Sequence, residues 1–460
     1  MLEMITNING TINSFVWGPV MLALLVGTGV YLTVRTGCIQ VKWFGYIMKN
    51  TVGSLFNKEK NKEAGKNLTP FQAVTTALAG TVGTGNIAGV TGAIFVGGPG
   101  AVFWMWVSAF FGMCTKYAEI ALAMKYRITE NGVHKGGPMY YIEKGLGKNW
   151  KPLAVIFALL GALASFGIGN IAQSSEIAGA MNGLFGLSPL VTGIILAIII
   201  ALVLIGGVKR IGKVTSLIVP FMAMFYIAAG IIVIIMRINL VPAALINIVT
   251  SAFSFEAVGG GIFGYAIMTA MKQGFARGVF SNEAGLGSAP IAHAASSTED
   301  PAEQAIWGVF EVFIDTIVIC TITAMAVLLS GIELGPDALT AYASKGAAAV
   351  YAFNSILPGT LGGIVIQVSL LFFALSTILS WSYYGERCFG YLTNNNKVVI
   401  GAYKVIFILF CIVGATGSGT LMWDIADTLN GMMAIPNLIA LLLLSGVVVD
   451  ITKDYFKDKK

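Results

Sequence analysis

Between Ala79 and Gly92 the chain reads AGTVGTGNIAGVTG, a stretch whose residue types suit binding better than bond-making. It lies inside an apolar run, Pro70–Gly97, long enough to cross a bilayer. Each glycine weakens a helix by roughly 1 kcal/mol relative to alanine. Backbone groups freed at membrane depth find no partner in lipid, so a broken helix is tolerated only where it lines a cavity. There the freed groups can hold an ion or a zwitterion. Close packing through small residues explains glycine spacing, but not Thr81, Thr84 and Asn86 among the glycines. The break is read as a binding site.

An amino acid held at mid-membrane needs donors for its carboxylate and acceptors for its ammonium. Backbone N–H groups opening a half-helix supply the donors, helped by the helix dipole; Gly85 and Asn86, with Thr84 before them, are placed for this. Carbonyls near a second glycine cluster, Gly259 and Gly260, can take the ammonium. Gln173 both donates and accepts, so it suits either a substrate bridge or an interhelical hydrogen bond. Thr377 and Trp381, four residues apart, share a helix face. Trp381 is then a pocket wall admitting only a small side chain, or a tryptophan of the interfacial belt. Phe263 is a further wall candidate, and Met268 suits core packing better.

Ionisable groups within spans are functional suspects. Glu311 and Asp315 stand at i and i+4; Asp315 suits a cation site or an ion pair with Lys or Arg. Glu119 is expected to pair with Lys116, and Glu176 and Glu283 to line inner or outer passages. Cys38, Cys114, Cys320, Cys388 and Cys411 have no paired spacing, and His134 and His293 are the only histidines. Neither a disulfide frame nor a metal cluster is expected. No nucleophile triad or phosphate-binding loop is present, so the chain reads as a non-enzyme whose active transport is ion-coupled.

These residues must be positioned by spans. The chain has 460 residues, 56% hydrophobic and 11% charged, with a mean hydropathy of +0.81. Long continuous apolar runs mark an all-α polytopic membrane protein and exclude an outer-membrane barrel. The net charge of +6 comes from loops and does not imply a nucleic-acid partner. The N-terminus, with Glu3, lacks a basic n-region and a cleavage site, so its first span is expected to stay as an anchor.

About eleven spans are expected: Phe15–Thr33, Pro70–Gly97, Ala101–Met124, Pro152–Leu184, Pro189–Gly207, Leu217–Met236, Val241–Met271, Ala305–Leu329, Leu361–Trp381, Val398–Val413 and a final pair of apolar pieces ending at Val449. An amphipathic piece, Val41–Phe56, is expected on the membrane surface. Lysines and arginines gather in alternate loops (Arg35–Lys66, Lys125–Lys151, Lys209–Lys213 and the tail), against Arg237 and Lys345 opposite. That asymmetry puts the N-terminus outside and the C-terminus in the cytoplasm.

Two glycine-broken spans each open a set of five, and an odd number forces the sets into opposite orientations. This pattern points to a transporter's midplane site. The organisation is then 1–36, outer terminus and extra span; 37–69, cytoplasmic segment; 70–236, first repeat; 241–449, second repeat; 450–460, cytoplasmic tail.

TALAGTVGTGNIAGVTGAIFVGGPGAVFWMW (Thr76–Trp106) and MKQGFARGVFSNEAGLGSAPIAHAA (Met271–Ala295) resemble the signature stretches of the alanine/glycine:cation symporter family. The resemblance covers essentially the whole chain. It implies sodium-driven, occasionally proton-driven, uptake of alanine and glycine across the cell membrane of a bacterium or archaeon. The run Val82-Gly83-Thr84-Gly85-Asn86 is also similar to the unwound first core helix of the bacterial leucine transporter. That likeness implies one sodium held by the carbonyls of Ala79 and Val82 with the hydroxyls of Ser376 and Thr377. It implies a second at the Thr81 carbonyl and the Asn86 side chain, touching the substrate carboxylate. The tyrosine of that transporter's third core helix has no counterpart, Gln173 being the polar group here. The expected function is sodium-coupled symport of small neutral amino acids, with no organic cofactor. Proton-coupled symport, a channel and a membrane-embedded enzyme are the alternatives.

Overall fold

The computed structural model describes residues 2–53, 65–253, 263–342, 344–417 and 420–459. Within them the chain is helical except for a hairpin, β1 (Ile128–Glu130) and β2 (Val133–Lys135). Asn131 and Gly132, both at positive φ, give that hairpin the two-residue Asn-Gly turn whose twist suits antiparallel strands.

The helices, in chain order, are α1 (Leu2–Val16), α2 (Pro19–Arg35), α3 (Phe44–Thr51), α4 (Pro70–Thr81), α5 (Val90–Gly97), α6 (Gly100–Lys125), α7 (Pro138–Gly145), α8 (Lys151–Phe166), α9 (Ala172–Phe185), α10 (Pro189–Leu204), α11 (Gly207–Met236), α12 (Val241–Phe253), α13 (Phe263–Asn282), α14 (Pro301–Val312), α15 (Thr321–Leu329), α16 (Lys345–Asn354), α17 (Leu361–Leu392), α18 (Lys397–Thr416), α19 (Thr420–Leu443) and α20 (Ser445–Phe456). Among the described residues seven helical stretches are long and apolar enough to cross a membrane, or eight when α4 and α5 count as one bent span. The all-α polytopic class is the one expected. Helix α3 covers part of the expected surface piece; residues 54–64 lie outside the described residues.

Local sequence explains how the central helix begins and ends. Thr69 and Gln72 form a reciprocal capping box, with Pro70 at the first helical position. The helix then fails at Val82, whose φ of −77° and ψ of 91° are extended. It restarts as a π-helical turn, Gly85–Gly89, and α5 leaves at 45° to α4. Two more π-helical stretches, Gly167–Ile171 between α8 and α9 and Phe313–Cys320 between α14 and α15, interrupt other helices. The first two line one small cavity through Gly85 and Ile168, and the third meets the first through the Asp315–Asn86 hydrogen bond. Wide turns of this kind are rare and concentrate at functional sites.

The expected second break, at Gly259–Gly261, lies outside the described residues, between α12, which runs to Phe253, and α13, which begins at Phe263. Helix α13 ends at Asn282, and the chain runs without regular structure through Glu283 and Gly287 to a short helix, Pro290–His293. This further interruption, at 283–289, reaches the cavity through Glu283.

Helix α13 is held to α6 by small residues. A Cβ on Gly274 would stand 2.4 Å from the Ala101 carbonyl oxygen and 2.5 Å from Trp104 Cβ; one on Gly278 would stand 2.9 Å from Ser108 Oγ. This GxxxG spacing brings two backbones into contact. Gly274→Ala should push α13 off α6 and destabilise the protein by about 1–3 kcal/mol, the usual scale of overpacking. Gly179→Ala, on an open helix face with nothing within 4 Å, should be neutral or slightly stabilising. Thermal midpoints of the two variants in detergent check this; equal midpoints would refute the close approach.

Candidate functional site

The cavity is enclosed and small, about 10 Å³, room for a single water. The α4 break lines it with Gly80, Thr81, Gly83 and Gly85. Ile168 and Gln173 come from the α8–α9 junction, Phe280 and Glu283 from the end of α13, and Thr377 and Trp381 from α17.

Asn86, fully buried, re-ties the broken backbone. Its Oδ1 accepts the Gly83 N–H at 2.8 Å, and its Nδ2 donates to Asp315 Oδ1 at 2.7 Å. Thr323 Oγ1 donates to the Asn86 carbonyl at 2.8 Å. Asp315 Oδ2 accepts from Ser281 at 2.7 Å and from Thr316 at 2.8 Å. One carboxylate thus joins the α4 break, the end of α13 and the π-helical stretch before α15. The Thr84 N–H donates to Gln173 Oε1 at 3.4 Å, and Gln173 Nε2 donates to the Ile168 carbonyl at 3.1 Å. The Thr84 hydroxyl is buried without a hydrogen-bond partner.

Three of the four oxygens expected to face the first sodium, those of Ala79, Ser376 and Thr377, converge. Thr377 Oγ1 donates to the Ala79 carbonyl at 3.0 Å, and Ser376 Oγ reaches the same oxygen at 3.5 Å. A Cβ on Gly83, one residue past Val82, would stand 2.7 Å from Thr377 Oγ1, so the unwound backbone passes directly over the α17 hydroxyl. An oxygen-only set of carbonyls and hydroxyls is chemistry for a hard monovalent cation.

Trp381 is 1% exposed, which rules out the interfacial belt. Its Nε1 donates to Glu283 Oε1 at 3.0 Å. A Cβ on Gly169 would stand 2.4 Å from Trp381 Cβ, so the α8–α9 turn presses directly on this wall. Phe263 opens α13, whereas Met268 is 51% exposed; its side chain faces outward and is neither wall nor core.

The buried charges pair differently from expectation. Lys116 Nζ lies 3.5 Å from Glu311 Oε1, while Glu119 takes the N–H groups of Gly285 and Gly287 at 3.0 Å and the Asn437 amide at 2.6 Å. Lys116 reaches across to α14, and the chain break at 285–287 aims its amides at Glu119. Glu311 and Asp315 belong to separate networks, because the π-helical stretch begins between them. His293 is buried against Glu311 at 3.1 Å. His134 sits on β2 outside the spans, held below its ordinary pKa by burial and then by Arg127.

Two further sets of contacts tie together elements around the cavity. Beyond Phe280, the Arg277 guanidinium lies 4.7 Å over that ring and 3.3 Å from Asp427 on α19. Towards the other face, the Leu68 backbone bonds to Ala295 and Ser297. Arg127 donates to the carbonyls of Ser296 and Thr298 at 2.7 and 2.8 Å.

Sequence reading missed Phe280 and Ser281 and ranked Glu283 low. The signal was there: Asn282–Gly287 reads NEAGLG, polar residues and glycines inside a long apolar stretch, the same pattern that picked out the first break.

A model of the sodium:alanine symporter family matches residues 2–460. The sodium/alanine symporter AgcS of Methanococcus maripaludis is 50% identical over 453 residues, with 98% of this chain and 97% of that protein covered. A probable sodium/glutamine symporter of Bacillus subtilis, GlnT, is 38% identical over 461 residues, with 100% and 92% covered. Among solved structures, MhsT in complex with L-phenylalanine matches with a TM-score of 0.56 at 16% identity, covering 83% of this chain and 97% of that one. A manganese transporter of Eremococcus coleocola matches with a TM-score of 0.53 at 13% identity, covering 85% and 88%. These structures share the fold, the leucine-transporter fold expected from Val82–Asn86, and the second shows that the fold alone does not set the cargo.

The hydrogen bonds of Asn86 change what its removal should do. Asn86→Ala strips the Gly83 N–H and Asp315 of a partner, and a buried group left unsatisfied costs about 1–3 kcal/mol. The purified variant should lose ligand binding and several degrees of thermal midpoint together. A midpoint equal to wild type would mean that Asn86 does not hold the break.

Proposed function

The chain belongs to the sodium:alanine symporter family, and from that premise we propose that it imports small neutral amino acids, alanine and glycine, by sodium-coupled symport with alternating access. The convergence of Ala79, Ser376 and Thr377 oxygens beside an unwound helix supports this reading above all. In it the first sodium takes those oxygens and the Val82 carbonyl. A second cation takes the Thr81 carbonyl and the Asn86 side chain, with the Asp315 carboxylate supplying the charge. The substrate carboxylate lies against Thr84, Gly85 and Asn86, with Gln173 beside it. Its ammonium turns to the carbonyl end of α13, and Phe280 and Trp381 close around the side chain. The expected part of Gly259 and Gly260 falls outside the described residues.

A cavity of about 10 Å³ is too small for any amino acid, so loading requires one flank to open. The Arg277–Asp427 contact and the Leu68–Arg127 contacts are the two seals this reading assigns to opposite faces. With the N-terminus outside and the C-terminus in the cytoplasm, residues 70–236 and 241–449 form the two inverted repeats. Proton coupling is the second reading, favoured by buried carboxylates near the cavity.

Isosmotic replacement of sodium by choline should cut labelled-alanine uptake into proteoliposomes at least tenfold. Uptake unchanged in choline would refute sodium coupling. Thr377→Val keeps the shape and loses one oxygen, so the sodium concentration for half-maximal uptake should rise about tenfold, roughly 1.4 kcal/mol. Trp381→Ala should let leucine compete better with alanine, since each buried methylene is worth about 0.8 kcal/mol to a ligand that fills it. Leucine competing no better in a folded variant would remove Trp381 as the size limit.

A further inference from the structure

Next to the cavity stands a group of charges that the transport reading leaves without a task. Lys116 and Glu119 on α6, Glu311 on α14, His293 and Glu283 are each at most 1% exposed. Their partners are unequally shared. Glu311 takes Lys116 at 3.5 Å and His293 Nε2 at 3.1 Å, and His293 Nδ1 meets the Gln304 amide at 2.9 Å. Glu119 receives neutral donors from Gly285, Gly287 and Asn437. Glu283 also receives neutral donors, Trp381 Nε1 at 3.0 Å and Ser288 Oγ at 2.5 Å.

Three carboxylates thus face one lysine and one histidine. Whichever form the imidazole takes, the group keeps at least one uncompensated negative charge at membrane depth. An isolated buried carboxylate is costly enough that it takes a proton or a cation instead. Glu311 has the lysine and the imidazole, and the donors on Glu119 converge on its Oε1. Glu283, like Glu119, is met by neutral donors alone. Its N–H closes on the Val279 carbonyl at 2.8 Å, which places it at the negative end of the α13 dipole. Its φ of +55° is a left-handed conformation uncommon outside glycine and strained by about 1 kcal/mol. Of the three carboxylates it alone lines the cavity.

We propose that Glu283 is an exchangeable-proton site of the pocket. Its carboxyl O–H breaks as the substrate's ammonium arrives beside it, and the proton passes to water on the outer side. When the amino acid leaves on the inner side, the carboxylate takes a proton from cytoplasmic water. One proton is carried outward for each amino acid carried inward, and the ammonium keeps its own protons throughout. The other titratable groups around Glu283 are Lys116 and Glu119 on α6, Glu311 on α14, His293 in the short helix and Tyr384 on α17. This rests on the reading of the cavity as an amino-acid site. It adds a counter-transported ion that sodium symport alone does not require.

The test uses the full-length protein in proteoliposomes with a trapped pH dye, a potassium–valinomycin voltage clamp and an inward sodium gradient. On adding labelled alanine, wild type should take it up while the lumen turns alkaline. Glu283→Gln, a neutral amide of the same shape, should hold alanine more weakly because the ammonium loses its carboxylate, and the uptake that remains should leave the lumenal pH unchanged. Alanine affinity should weaken about tenfold per pH unit on acidification in wild type and stay flat in Glu283→Gln. Ser288→Ala removes one donor to the ionised form, so it should move the wild-type pH midpoint upward; it also serves if Glu283→Gln does not fold. Wild-type uptake with a silent lumen, a pH signal that survives in Glu283→Gln, or an unmoved midpoint in Ser288→Ala would overturn the proposal and leave the transport reading standing. No alanine uptake by wild type would overturn both.

Discussion

A backbone interrupted inside a membrane must have its amides and carbonyls answered by protein, and this constraint organises the structure. The failure of α4 at Val82 is met by Asn86 turning back onto the Gly83 N–H. Its other amide edge is anchored on Asp315, which also ties down Ser281. Gln173 takes the Thr84 N–H, and Thr377 and Ser376 donate to the Ala79 carbonyl. Apart from Asn86 itself, these answers come from α9, α17 and the π-helical stretch before α15. The break is therefore where α4, α13, α17 and the two other π-interrupted helices are registered against one another. Replacing the answering groups with a ligand's oxygens and charges changes the partners of several helices at once.

Much of this was legible in the chain because glycine and polar residues stand out against an apolar background. Thr81, Thr84 and Asn86 marked the first break, and the run from Leu371 to Trp381 placed Ser376 and Thr377 opposite it. A further interruption, at NEAGLG, was overlooked because a run of adjacent glycines at 259–261 draws the eye more than it does. NEAGLG spreads its glycines singly, and its Glu283 occupies the left-handed conformation that glycine would normally supply. The partners of Lys116 were not legible either. Sequence spacing puts Glu119 three residues away on one helix, but side chains on a buried helix answer to whatever packs on them, and α14 brings Glu311. Met268 fell to a different ambiguity: an apolar residue on a membrane helix faces lipid as readily as core.

The site divides its electrostatics between two kinds of group. Around Ala79 and Thr377 the oxygens are neutral, so an arriving monovalent ion meets no fixed charge and can leave again. Around Asp315 and Glu283 the oxygens are carboxylates, each answered by neutral donors at hydrogen-bond distance. Neutral donors orient a carboxylate and lower its desolvation cost without cancelling its charge. Such a group keeps a standing preference for a cation, a proton or an ammonium. The lysine is held one layer away, with Lys116 and His293 both committed to Glu311.

That layering has a mechanical consequence. Glu283 is bonded on one side to Trp381, which walls the cavity, and on the other to Ser288, five residues before the His293 that joins Glu311. The 283–289 segment also gives its Gly285 and Gly287 amides to Glu119. A change of charge at the cavity wall is therefore felt by a segment whose backbone is tied to α6 and whose far end meets the Leu68 seal through Ala295 and Ser297. The distances are a few bonds and no flexible loop intervenes. One short unwound stretch therefore links the cavity wall to the contacts of Leu68, which is the arrangement the proposed alternating access needs if the carrier is to open to one side only when its cargo has settled.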